Sequence, residues 1–154
     1  MRIEFDVDGK PPSKSGWDNK EGLTKKFREK ALAARNKAGI SKGDEHRVKI
    51  DLTVYTSNIS DRELVKGDDP SKYSGDLDGF ISGICDYLGP AEKNVTEDNV
   101  HIELKKQDEI NYKIPLIIHD DAQIVEIYAQ KKKDEKKRYH VEIVFLDENL
   151  KELD

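Results

Sequence analysis

The chain has 154 residues, enough for one domain with a hydrophobic core of its own. Charged residues make up 38% of it against 35% hydrophobic, no apolar run approaches the roughly 20 residues that span a bilayer, and a formal net charge of −5 excludes a uniformly basic, phosphate-gripping surface. A single cysteine, Cys85, excludes an internal disulfide and argues against a thiolate zinc site, and Met1-Arg2-Ile3-Glu4 does not read as a signal peptide; the cytoplasm is the expected compartment.

Ile3, Phe5 and Val7 alternate with polar residues, which predicts a half-buried strand that ends at Gly9-Lys10-Pro11-Pro12-Ser13. Residues 13–19 read as a loop containing Trp17, which is expected to plug the core. A helix is expected from about Gly22 to Ala38, with Leu23, Phe27, Ala31, Ala34 and Ala38 as its buried stripe and Gly39 just past its end. Val48, Ile50, Leu52 and Val54 mark a second strand, and residues 57–75 a long polar loop. Leu77, Phe80, Ile81, Ile84, Cys85 and Leu88 then form the broad apolar face of a second helix, with Asp76 as its N-cap and Gly89-Pro90 as its stop.

Residues 91–113 are highly charged and read as an insertion with one short strand or hairpin. Pro115-Leu116-Ile117-Ile118 is a short apolar run that leads into His119-Asp120-Asp121. Val125, Ile127 and Ala129 mark a third strand, Lys131–Arg138 a turn, and Val141, Ile143 and Phe145 a fourth strand, the last two forming a hairpin. The acidic tail, 147–154, is expected to fray. The fold class is α+β: a single domain over 1–154, in the order β-α-β-α-β-β, with both helices on one face of a four-stranded mixed sheet.

Two carboxylate clusters stand beside apolar stretches: Asp76 and Asp78 at a helix start, and Asp120 and Asp121 before a strand. Brought together they would make an oxygen-only site of the kind that holds Mg²⁺ or Mn²⁺. Taken singly, Asp76 is also a good N-cap and Asp120-Asp121 a good turn. Charge is unevenly distributed. Residues 20–38 carry seven basic groups against two acidic ones, and residues 131–138 carry six against two, as solvated surfaces or as phosphate-binding ones.

These pieces, in this order, resemble the RusA family of Holliday-junction resolvases, endonucleases associated with phages and prophages. The resemblance rests on Pro11-Pro12-Ser13 after the first strand, Asp76-Leu77-Asp78 before an apolar helix that ends in Asp86-Tyr87-Leu88, Asp120-Asp121-Ala122-Gln123-Ile124, and Lys131 at the end of the following strand. It covers most of the chain outside 91–113 and the tail.

The resemblance implies a homodimeric, Mg²⁺- or Mn²⁺-dependent endodeoxyribonuclease that resolves branched DNA in recombination and repair, without a membrane partner. Asp76, Asp78 and Asp121 would bind the metal and carry catalysis, and Asp120 would assist them; His119 reads as a neighbour of the cluster. Lys14, Lys25, Lys26, Arg28, Lys72, Lys131 and Lys133 are the basic residues expected on DNA. Two positions depart from the family pattern. Gly79 stands where the family has asparagine, and Ser82 stands where it has its catalytic lysine. Lys131, Lys14 and Lys72 are candidates to replace that charge. The departures leave open a descendant that binds DNA without cutting it, and a protein-interaction module in which the carboxylates only cap and turn.

Overall fold

A computed structural model describes residues 1–14, 22–40, 44–57, 77–91 and 113–154. The elements run β1 (Arg2–Asp8), α1 (Leu23–Ala38), β2 (Arg47–Thr56), α2 (Leu77–Leu88), a 3₁₀ turn (Asp121–Gln123), β3 (Ile124–Lys133) and β4 (Arg138–Leu146). This is the α+β order that the alternating strands and the two apolar helix faces predict. Ile3, Phe5, Val7, Val48, Ile50, Leu52, Val54, Tyr139, Val141, Ile143 and Phe145 share one buried sheet face. Phe27 and Ala31 of α1, and Phe80 and Ile84 of α2, pack into the same core, so both helices lie on that face. The Phe5 and Phe27 rings, 5.7 Å apart, join α1 to β1.

The strand order is β1-β4-β2-β3. β4 runs antiparallel to both β1 and β2, and β2 runs parallel to β3. The last two strands are therefore not the hairpin expected from their short connection. β2 lies between them, and residues 134–137 arch over its end, where the Asp134 N–H donates to the Thr56 carbonyl at 3.0 Å. Alternation reports which face of a strand is buried but not which strand lies beside it. Lys131–Lys133, expected in the turn, belong to β3.

The buried face of α1 is Thr24, Phe27, Arg28, Ala31 and Arg35, while Ala38 is exposed. The face is rotated from the expected alanine stripe because two arginines turn inward. Arg28 donates to the carbonyls of Tyr87 (2.7 Å), Gly89 (3.1 Å) and Ile114 (3.2 Å). Arg35 donates to the Leu116 carbonyl at 2.9 Å. Tyr87 and Gly89 lie at the C-terminal end of α2, where helical carbonyls lack intrahelical partners and a cation is favoured. Burial pushes the Arg28 pKa down to about 9, which still leaves it charged at neutral pH. Leu116, Ile117 and Ile118 are fully buried below these contacts.

The tail folds back rather than fraying. Leu146 bridges Glu152, the Leu153 N–H donates to the Phe145 carbonyl at 2.9 Å, and Arg2 pairs with Glu152 at 2.7 Å. Among the described residues, no helix is long and apolar enough to cross a membrane.

Candidate functional site

α2 organises the site. Pro11 and Pro12 are buried, and their strap crosses α2 at Gly83, where a β-carbon would meet the Pro12 carbonyl carbon at 2.8 Å and its oxygen closer still. The Tyr87 hydroxyl donates to the Ser13 carbonyl at 2.6 Å, fixing the strap one turn further along. At the helix end, the Leu88 carbonyl accepts from Ile117 N–H at 2.8 Å and Ile118 N–H at 3.3 Å. Three segments far apart in sequence, 11–13, 77–88 and 117–121, thus meet around one helix.

The acidic turn is built on Gln123. Its Oε1 accepts from the N–H groups of His119 (2.8 Å) and Asp120 (3.1 Å). Its Nε2 donates to the carbonyls of Asp44 (2.7 Å) and His46 (2.8 Å). Asp120 caps the turn, its Oδ1 accepting from Ala122 N–H at 2.8 Å, so that Asp120 and Gln123 form a reciprocal capping box. The Ala122 N–H, and then a hydrogen bond with Asp121, hold the Asp120 carboxyl below its usual range. The capping role open to Asp120 in the sequence is therefore realised. His119 is exposed, and its backbone serves the Gln123 amide.

Asp121 acts on α2. The Cys85 thiol is pushed up to about 11, chiefly by burial and further by the negative charges of Asp86 and Asp121. Asp78 is exposed in the first turn of α2. It precedes Cys85 by seven residues, about 10 Å along the axis. Asp76 and Lys72, like Trp17, lie outside the described residues. Among the described residues, the three donors that come within 4.8 Å of one another are Glu4, His140 and Glu142, not Asp78, Asp120 and Asp121.

The basic residues divide. Arg28, expected on DNA, is fully buried and donates to backbone carbonyls, so it presents no charge to a ligand. Lys14 is exposed at the end of the proline strap. Lys25 pairs with Glu29 at 3.6 Å, and Lys26 donates to the Asp8 carbonyl at 3.3 Å. Lys131 is half-buried opposite Val54, and burial lowers its pKa. Lys133 is exposed at the end of β3, opposite Thr56. Because β1, β2 and β3 run the same way, Lys26 and Lys133 share one end of the sheet. Ser82 is exposed on α2, and nothing lies within 4 Å of a β-carbon at Gly79.

Sequence reasoning missed Glu4, His140 and Glu142, a cluster on the sheet face that neither helix covers and one that could hold a metal ion. Their same-face spacing was visible within each strand, but their meeting depends on the β1–β4 pairing. A recess of about 460 Å³ also opens beside Asp120, lined by His46, Arg47, Gln123 and Asp147 among others.

No protein-family model and no curated protein matches the chain.

Proposed function

We propose that the chain is a metal-dependent endonuclease that hydrolyses phosphodiester bonds in branched DNA, a divergent relative of the RusA resolvases. The observation that carries this reading is the meeting of the proline strap, the start of the Asp120-Asp121 turn and the Asp78-bearing helix around α2. Those are the segments on which the resemblance rests.

Asp76, Asp78 and Asp121 would hold Mg²⁺ or Mn²⁺, with Asp120 alongside. The donors are all carboxylate oxygens, which suit a hard divalent ion better than zinc. When bound, such an ion lowers the pKa of a water and neutralises charge on the phosphate. The residues of the chain supply the frame. Gln123 fixes the turn through its amide, Asp120 is locked by its cap, and exposed Lys14 and Lys133 offer charge to the DNA backbone. A homodimer would present two such sites to the symmetric strands of a four-way junction.

The experiment is cleavage of a labelled synthetic four-way junction with Mg²⁺ or Mn²⁺. Paired nicks that disappear in Asp121→Asn, with junction binding retained, are expected. A second reading, a descendant that binds DNA without cutting it, is favoured by exposed Ser82 at the position of the expected lysine. It predicts a shifted junction band and no nicks with either ion. Neither binding nor cutting would leave the carboxylates as caps and turns.

A further inference from the structure

We propose that Glu4, His140 and Glu142 form a divalent-metal site on the open face of the sheet, selective for a zinc-type ion. The inference is independent of the endonuclease reading, since these residues lie on the side of the sheet away from α1 and α2.

The register builds the site. Glu4 stands directly opposite Glu142, and Asp6 directly opposite His140, on paired β1 and β4. Asp51 of β2 stands opposite Glu142 on its other side. Three carboxylates thus lie in one row across three neighbouring strands. Like charges at directly opposed positions repel, so the row favours a cation between them.

The imidazole makes this more than an acidic patch. His140 Nδ1 lies 3.0 Å from Asp6 Oδ1. An ionised carboxylate can only accept, so Nδ1 carries the proton, and in the neutral ring Nε2 presents its lone pair. That Nε2 is 3.8 Å from Glu4 Oε2, and the donor atoms of Glu4, His140 and Glu142 all lie within 4.8 Å of one another. A carboxylate that orients a metal-binding histidine through its other nitrogen is the usual arrangement around protein-bound zinc. Donors about 2.0–2.2 Å from a shared ion would stand roughly 3–4 Å apart, within reach of a side-chain rotation of exposed Glu4. One imidazole nitrogen with carboxylate oxygens suits Zn²⁺, Co²⁺ or Mn²⁺ better than Mg²⁺ or Ca²⁺.

Arg2 is the competing cation. It contacts Glu142 at 3.1 Å while holding Glu152 through two nitrogens, at 2.9 and 2.7 Å. An ion would displace only the first of these contacts. Bound there, it would staple β1 to β4.

Titration of the 154-residue chain with Zn²⁺ alone, followed by calorimetry, and with Co²⁺, followed by its visible absorption, tests the site. One equivalent that is lost in His140→Gln is expected. His140→Gln and Glu4→Gln should each weaken Zn²⁺ by about a hundredfold, and Asp6→Asn by roughly 10–100-fold. Arg2→Met should tighten it, and Asp121→Asn should leave it unchanged. Zn²⁺ should raise the Tm of the native chain but not that of His140→Gln. Circular dichroism of each variant verifies that these surface changes leave the fold intact. No Zn²⁺ binding up to millimolar concentrations, or binding indifferent to His140→Gln and Glu4→Gln, overturns the proposal; so does equal loss in Asp121→Asn.

Discussion

Gly83 of α2 lies against the backbone of Pro12 with no room for a β-carbon between them. The crowding atoms are backbone, which cannot rotate away. Gly83→Ala should therefore destabilise the fold by about 1–3 kcal/mol, as overpacking does, and loosen the 11–14 strap. Gly79, four residues earlier on the same helix, has open space, so Gly79→Ala should stabilise by roughly 0.5–1 kcal/mol through helix propensity. Urea midpoints of the two variants, moving in opposite directions, check both.

Gln123 ties the acidic turn to the entry of β2 through four backbone groups. Gln123→Leu keeps the size but removes every one of these contacts. A loss of about 1–3 kcal/mol is expected in chemical denaturation. If the turn carries the proposed chemistry, junction cleavage should fall further than the change in stability explains, with junction binding less affected.

Cys85 reports on the surroundings of Asp121. Its thiol pKa is raised from about 9 to about 11, by burial first and then by Asp86 and Asp121. Between those values the folded thiol keeps a proton that the unfolded chain has lost. The associated stability is present below about pH 9 and is lost as the pH climbs to about 11. Iodoacetamide should modify Cys85 slowly at pH 8, and the midpoint of its pH–rate profile should drop in Asp121→Asn. An unmoved midpoint would separate Asp121 from the helix.

Ser82 and Gly79 can be tested by restoration. Both positions are open, so Ser82→Lys and Gly79→Asn should fold. A positioned cation beside a reacting phosphate is worth roughly 10²–10³ in rate. Ser82→Lys should raise single-turnover cleavage of a four-way junction by a comparable factor. An unchanged rate would mean that another cation already fills that role, or that the cleavage reading is wrong.

The elements were legible because each writes a period into the chain: Ile3-Phe5-Val7 and Val141-Ile143-Phe145 alternate, and Phe80, Ile84 and Leu88 recur on one helical face. Partners were not legible, because a strand's pattern is the same whichever neighbour it has. The β3–β4 hairpin failed for that reason, and Glu4 and His140 went unnoticed for the same one. Arg28 was misread because its type signals solvent, while its position placed it among the unpaired carbonyls at the end of α2. Asp120 and Gln123 carried a capping signature in plain view, but the anchoring of Gln123 to Asp44 and His46 required the fold.

The position of β4 between β1 and β2 bears on how the chain is made. Of the four strands β1 is made first, yet its hydrogen-bonding partner, β4, is made last of the four. β2, α2 and β3 can assemble as a parallel unit beforehand, while β1 and the buried side of β2 wait with open edges. Closure over so long a sequence separation is slow. Until β4 is available, those edges stay open, and a chaperone that shields them would help the sheet to close.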